Sequence, residues 1–158
     1  MNPLKVLTIS SVSVWLGAMA FFSIFVAPAA FSVLDRESAG RLVTTVFPRY
    51  YSFGAGLGVV ALAGVLGQVL GRGSRAAPWA TLALLLLMLG LTFYVMLVLE
   101  PQIQRTRLAL SSAGIAPGSA APEAHAFARL HRVSVILNGV TLLAGLALIC
   151  VEAIRSRG

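Results

Sequence analysis

Four polar residues share a helical spacing in the last apolar stretch of the chain: His131, Ser134, Asn138 and Thr141. They fall at positions i, i+3, i+7 and i+10, so a helix would carry all four on one face. Polar side chains at membrane depth normally point into the protein, where they find partners. The stripe could line a site for a ligand, an ion or a proton, or its groups could form hydrogen bonds between helices that fix packing.

Three residues at the ends of other apolar stretches could join this site: Tyr50, Tyr51 and Glu100. Glu100 directly precedes Pro101 at the end of the third apolar stretch. Two interpretations of this carboxylate are open. It is either a solvated residue at the membrane boundary, or it reaches Arg132 or His131 across the bundle.

The sequence argues against hydrolytic catalysis. Asp35 is the only aspartate, and no histidine lies near a serine motif of the nucleophile-elbow type. We therefore expect that the protein is not an enzyme.

The residues also argue against a bound cofactor. His125 and His131 precede the same apolar stretch, and a separation of six residues puts them on different faces of a helix, so one chain cannot hold a haem between them. Cys150 is the only cysteine, and the four methionines form no cluster. We expect no cofactor. A metal or haem protein, with His131 and one methionine as ligands, stays open as a less favoured alternative.

Four intervals without Asp, Glu, Lys or Arg must position these residues: 6–34, 50–71, 76–99 and 133–151. A bilayer core of about 30 Å needs roughly 20 helical residues, so each interval is long enough to cross it. The alternation of a membrane β-strand is absent. The sequence predicts an all-α integral membrane four-helix bundle, one domain over 1–158, with spans at about 4–31, 50–70, 79–99 and 133–154.

Composition agrees with this fold class. The chain is 58% hydrophobic and 11% charged, which a soluble domain of 158 residues could not accommodate. The net charge of +7 comes almost entirely from arginines near the span ends, without the interleaved aromatic residues of a nucleic-acid site. We expect the lipid bilayer as a partner, and no nucleic acid.

The connecting segments predict further helices and close contacts. Residues 35–47 have the pattern of a short amphipathic helix lying on the membrane surface, with Pro48 starting span two. The third helix is expected to continue to about residue 110, and a helix starting at Pro122 to run into span four. Gly54 and Gly58 form a small-xxx-small pair for helix packing. The short connection 71–78 predicts that spans two and three are antiparallel neighbours.

The distribution of basic residues predicts an orientation. Four spans put both termini on the same side as Arg72 and Arg75. The basic residues of this short loop and of the termini are more reliable indicators of orientation than those of the long linker. We therefore expect a protein of the bacterial inner membrane with both termini on the cytoplasmic side.

Several motifs resemble those of a known family. They are Trp15 to Met19 followed by two phenylalanines, Phe47 to Tyr51, Pro101, and the set Phe127, Leu130, His131, Arg132, Ser134 and Asn138. Over nearly its whole length the chain resembles four-span membrane proteins similar to eukaryotic transmembrane protein 205. The resemblance implies a four-helix membrane fold and, from the eukaryotic member, an association with resistance to platinum drugs.

We therefore expect a small non-enzymatic membrane protein that serves transport of, or resistance to, a small solute or metal species, acting as a homo-oligomer. The alternative is an accessory or scaffold subunit of a larger membrane complex. A continuous polar path across the bundle would favour the first reading. A dry core with an exposed face of small residues would favour the second.

Overall fold

A computed structural model describes residues 2–71, 78–116 and 118–155 of the chain. These residues form four long helices and no strand: α1 (Pro3–Val33), α2 (Arg36–Leu70), α3 (Trp79–Ser112) and α4 (Pro122–Ile154). Each helix is long and apolar enough to cross a membrane. The prediction of an all-α four-helix membrane bundle is confirmed.

The helices pack in a ring in chain order. Helix α1 contacts α2 and α4, and α3 contacts the same two helices. The contact of α2 with α3 confirms that spans two and three are neighbours. Six residues of the loop predicted between them, including Arg72 and Arg75, lie outside the described residues. Lys5 in α1 forms an ion pair with Glu152 in α4, so the two ends of the described chain lie at the same end of the bundle.

Helix α1 nearly matches its predicted span, whereas the other three helices extend well beyond theirs, at the end of the bundle opposite Lys5 and Glu152. Helix α2 begins at Arg36 rather than residue 50, and α4 begins at Pro122 rather than residue 133. Helix α3 continues through Pro101 to Ser112, which confirms the predicted extension past the third span. The uninterrupted helix from Pro122 to Ile154 is confirmed as well.

The predicted surface helix over residues 35–47 is helical, but it is not separate. It forms the first part of α2, and Pro48 lies inside that helix rather than at its start. The reason is a lateral clasp from α3. Arg107 donates from Nη1 to the Thr44 hydroxyl at 2.5 Å and from Nη2 to the Glu37 carbonyl at 3.0 Å. A Cβ at Gly40 would collide with this guanidinium, so the glycine makes the clasp possible.

Two helices widen into π-helical turns just before a proline. In α1 the wide turn covers Phe22–Val26, two residues before Pro28. In α3 it covers Val95–Leu99, two residues before Pro101. A proline has no N–H to donate and its ring crowds the carbonyl four residues earlier, so a wider turn relieves the strain without ending the helix. The second of these turns places Glu100.

The centre of the bundle is a packed apolar layer contributed by all four helices. Its buried members are Val12, Trp15, Leu16, Met19, Ala61, Val65, Leu85, Met88, Leu89, Ala144 and Leu148. On every helix these residues lie within the apolar interval, between the polar residues of its two ends. The layer therefore separates the polar groups at the two ends of the bundle.

Candidate functional site

A buried cluster of hydrogen-bonding groups lies at the end of the bundle away from the termini. The Tyr51 side chain of α2 is 2% exposed, and its hydroxyl accepts a hydrogen bond from Asn138 Nδ2 of α4 at 2.9 Å. Ser134, one turn earlier on α4, is also buried and lies beside the same hydroxyl. We call these three residues the Tyr51 cluster. It joins α2 to α4, which are diagonal partners in the ring.

Aromatic rings hold Tyr51 in place. The Tyr50 ring lies 5.0 Å from the Tyr51 ring between centroids, and Phe47 lies 5.6 Å from Tyr51. The Phe22 ring, in the wide turn of α1, lies 5.2 Å from the Tyr50 ring between centroids, at a tilted angle. Tyr50 thus contributes a half-buried ring to the support of the cluster.

Glu100 does not match either interpretation made from the sequence. Its side chain is 4% exposed, so it is not a solvated boundary residue. Its Oε1 accepts a hydrogen bond from Gln104 Nε2 of the same helix at 3.0 Å, and no ion pair with Arg132 or His131 occurs in the described chain. Its Oε2 is buried and has no hydrogen-bond partner among the described residues. An unsatisfied buried carboxylate oxygen is costly and needs an explanation.

Glu100 lines a cleft of about 230 Å³ between α2 and α3. The cleft, called here the Glu100 cleft, is lined by Pro48, Tyr51, Ser52, Met96, Glu100, Pro101 and Gln104. Because Tyr51 belongs to both, the cleft and the Tyr51 cluster form one continuous arrangement. It combines one carboxylate, neutral hydrogen-bonding groups and an aromatic ring.

Two of the predicted site residues do not join this arrangement. The His131 side chain is exposed and stacks on Phe127 of its own helix, with 6.2 Å between the rings. The expectation that it faces the bundle interior is wrong. At 100° per residue it lies at the margin of the stripe marked by Ser134 and Thr141, in the part of α4 beyond the predicted span, where exposure costs little. Thr141 is buried, but its hydroxyl donates to the Leu137 carbonyl of the same helix at 2.9 Å.

The glycine pair of α2 lies against Trp15 of α1. A Cβ at Gly54 would collide with the indole nitrogen of Trp15. A Cβ at Gly58 would lie 2.9 Å from Trp15 Cζ3 and 2.5 Å from Leu89 Cδ2 of α3. Both glycines therefore allow close approach of neighbouring side chains, as in other small-xxx-small pairs.

A second polar cluster, at the end of the bundle that holds the termini, was missed by the sequence reasoning. Glu152 is completely buried. Its Oε1 accepts hydrogen bonds from Thr81 and Arg155, and its Oε2 lies 3.4 Å from Lys5 Nζ. These four residues, the Glu152 cluster, connect α1, α3 and α4. Neighbouring Gln68 of α2 donates to the Thr8 hydroxyl at 3.3 Å.

A signal for this cluster exists in the sequence. Three members of the cluster, Lys5, Thr81 and Glu152, lie near those ends of their apolar intervals that an antiparallel bundle brings to one side, and so does Gln68 of α2. Polar residues at matching depth on four helices are candidates for mutual contact. Each residue taken alone resembles a solvated boundary residue.

The described residues include no group of three or more His, Cys, Asp or Glu side chains that could hold a metal ion. Among the described residues, Glu100 is the only carboxylate that lines its cleft, and Glu152 is the only one in its cluster. No second titratable group in the described chain hydrogen-bonds to the Glu100 carboxylate.

Comparison with known proteins gives the family. The profile of a domain of unknown function, DUF4149, matches residues 10–112. The chain belongs to the DUF4149 family. A relative from Aquifex aeolicus (strain VF5), described as an uncharacterized protein, is 33% identical over 137 residues, which cover 87% of each chain. No solved structure matches the chain. The matched residues of the DUF4149 family include Tyr51 and the whole Glu100 cleft, but not Asn138.

Proposed function

We propose that this member of the DUF4149 family is a small non-enzymatic membrane protein that binds a small solute in the Glu100 cleft, and that it serves transport or resistance. The observation that carries the proposal is the buried Oε2 of Glu100, which has no partner among the described residues and belongs to a cleft large enough for a small molecule. A ligand that donates a hydrogen bond would satisfy this oxygen.

Two further features support a binding role. The Tyr51 cluster fixes one wall of the cleft through the Asn138 hydrogen bond and the surrounding rings. Residues held by packing and by supporting hydrogen bonds are the usual basis of a preorganised site. The sequence motifs that resemble the transmembrane protein 205 family give resistance to a toxic solute as the process to test first.

A second candidate function, an accessory subunit of a larger membrane complex, is favoured by the apolar layer. In the described part of a single chain, that layer lies between the Tyr51 cluster and the Glu152 cluster. Gly17, Gly56, Gly90 and Gly139 lie on outer faces with open space around them, one on each helix. Small outward residues allow close contact with other membrane helices. Under the first proposal, passage of a solute requires an assembly of several chains.

A tolerance assay tests the proposal. Cells expressing the chain are challenged with a platinum drug and with small toxic cations, neutral compounds and anions, and are compared with cells expressing Glu100→Gln or the surface control Glu123→Gln. We expect cells expressing the wild type and cells expressing Glu123→Gln to show the same tolerance to every compound. Cells expressing Glu100→Gln, at an equal protein level in the membrane, should differ from both in tolerance to at least one compound.

Equal tolerance in all three strains, for every compound, would contradict the proposed function. Crosslinking of outward glycine faces to one stoichiometric membrane partner would then favour the accessory subunit.

A further inference from the structure

The Glu100 carboxylate lacks a counter-charge in the described part of the chain. The ion pairs there are Lys5–Glu152, Arg41–Glu37 and Arg155–Glu152. None includes Glu100, whose carboxylate accepts one hydrogen bond among the described residues, from the neutral amide of Gln104. Burial of a carboxylate is costly unless a cation or several donors compensate it. A cationic hydrogen-bond donor would supply both the missing counter-charge and the missing hydrogen bond.

The chemistry of the cleft argues against a metal ion in this role. Calcium takes six to eight oxygen ligands, and magnesium requires an octahedron with several oxygen ligands. The Glu100 cleft offers one carboxylate together with the neutral oxygens of Tyr51, Ser52 and Gln104. Soft metals prefer thiolate or imidazole ligands, and the only sulfur in the lining is that of Met96.

The same groups are well matched to an ammonium ion that carries a short apolar chain. An ammonium group donates up to three hydrogen bonds, which the Glu100 carboxylate and the neighbouring hydroxyl and amide oxygens can accept. The Tyr51 ring adds an attractive surface for a cation. The rings of Pro48 and Pro101 and the Met96 side chain provide apolar contact for the carbon chain.

The volume of the cleft sets the size of the ligand. At about 230 Å³ it is smaller than the roughly 300 to 1,000 Å³ of sites for drug-sized ligands. Its position at the edge of the apolar interval, next to Glu100, makes it accessible to a cation that collects at the headgroup level. We propose that the Glu100 cleft binds small organic ammonium ions of a few carbon atoms. This inference rests on the proposed function, for which it names the class of solute.

Thermal unfolding of the purified full chain in mild detergent tests the inference with three probes of equal chain length: n-butylammonium, 1-butanol and butyrate. We expect n-butylammonium alone to raise the Tm of the wild type and of Glu123→Gln. In Glu100→Gln, whose amide oxygen can still accept the Gln104 hydrogen bond, the concentration needed for half of the shift should rise at least tenfold. Ser52→Phe, which fills the cleft and leaves the carboxylate in place, should also lose the shift.

Two results would overturn the inference: an equal n-butylammonium shift in wild type and Glu100→Gln, or no n-butylammonium shift in the wild type. If Glu100 is nevertheless required for tolerance to a neutral or anionic compound, only the class of solute is wrong and the proposed function stands. If n-butylammonium binds through Glu100 while the tolerance assay shows no dependence on Glu100, the ammonium site stands and the proposed process fails.

Discussion

Gly58 and Gly56 provide a matched test of the close packing between α1, α2 and α3. A Cβ at Gly58 would lie 2.5 Å from Leu89 Cδ2 and 2.9 Å from Trp15 Cζ3, whereas a Cβ at Gly56 would meet no atom within 4 Å. Neither neighbour of Gly58 has space to move freely, because Leu89 is 5% exposed and Trp15 is 3% exposed. We predict that Gly58→Ala destabilises the bundle and that Gly56→Ala does not.

The magnitude follows from two opposing effects. Replacement of glycine by alanine inside a helix stabilises it by roughly 0.5 to 1 kcal/mol, and this gain is shared by both variants. Overpacking of a filled core costs about 1 to 3 kcal/mol, and only Gly58→Ala incurs it. The free energy of unfolding of Gly58→Ala should therefore be about 1 to 3 kcal/mol below that of Gly56→Ala.

Reversible unfolding by sodium dodecyl sulfate in mixed micelles measures this difference. Because the two positions lie two residues apart on the same helix, effects of helix propensity and of detergent are matched. Equal free energies of unfolding for the two variants would refute the packing of Trp15 and Leu89 against Gly58.

Three further predictions concern the polar groups. A double-mutant cycle with Tyr51→Phe and Asn138→Ala should give a coupling energy of about 0.6 kcal/mol, which is typical of interhelical hydrogen bonds in membranes. A coupling energy of zero would mean that this hydrogen bond contributes nothing to the free energy of unfolding. Glu152→Gln should lower the free energy of unfolding by on the order of 3 kcal/mol, because it leaves the nearly buried Lys5 ammonium without a counter-charge. Adding Lys5→Met to this variant should restore part of the lost stability. A further loss in the double variant would contradict the ion pair. Asp35 caps α2, and the pKa of its carboxyl is lowered first by a hydrogen bond from the Ser38 side chain and then by those from the N–H groups of Ser38 and Glu37. Its contribution to stability is therefore complete above the unfolded pKa of about 3.9 and is lost as the pH falls through the lower folded pKa. Asp35→Asn, which caps without titrating, should reduce the loss of stability in acid, and an unchanged pH profile would argue against the cap.

The four-helix fold could be predicted from the sequence because bilayer thickness imposes a strong constraint on uncharged intervals. The boundaries of the helices are harder to predict from the sequence. Pro48 predicts the start of a helix, because a proline inside a helix removes a backbone hydrogen bond. In the structure α2 continues through Pro48, and Arg107 of α3 holds the preceding turn through its hydrogen bond to Thr44. The wide turns before Pro28 and Pro101 are likewise responses of packed helices to proline, which local sequence does not reveal.

The candidate site was predictable only in part. Asn138, Ser134 and Tyr51 were identified because polar groups on an apolar helix seek partners inside the bundle. Their partner assignments depend on the rotation of each helix, which sequence spacing leaves undetermined by tens of degrees. That uncertainty explains why His131 was expected in the interior although it lies on the surface. It also explains why neither interpretation of Glu100, a solvated boundary residue or a partner of Arg132 or His131 across the bundle, matches the structure, in which its partner is Gln104 on its own helix.

Native mass spectrometry of the full chain, released gently from detergent micelles, tests the central proposal most directly. Wild-type protein and the surface control Glu123→Gln should retain a small bound molecule in a ratio of one per chain, and Glu100→Gln should lose it while remaining folded. The same small molecule on Glu100→Gln, or a stoichiometric protein partner with no small molecule on the wild type, would contradict a solute site at the Glu100 cleft.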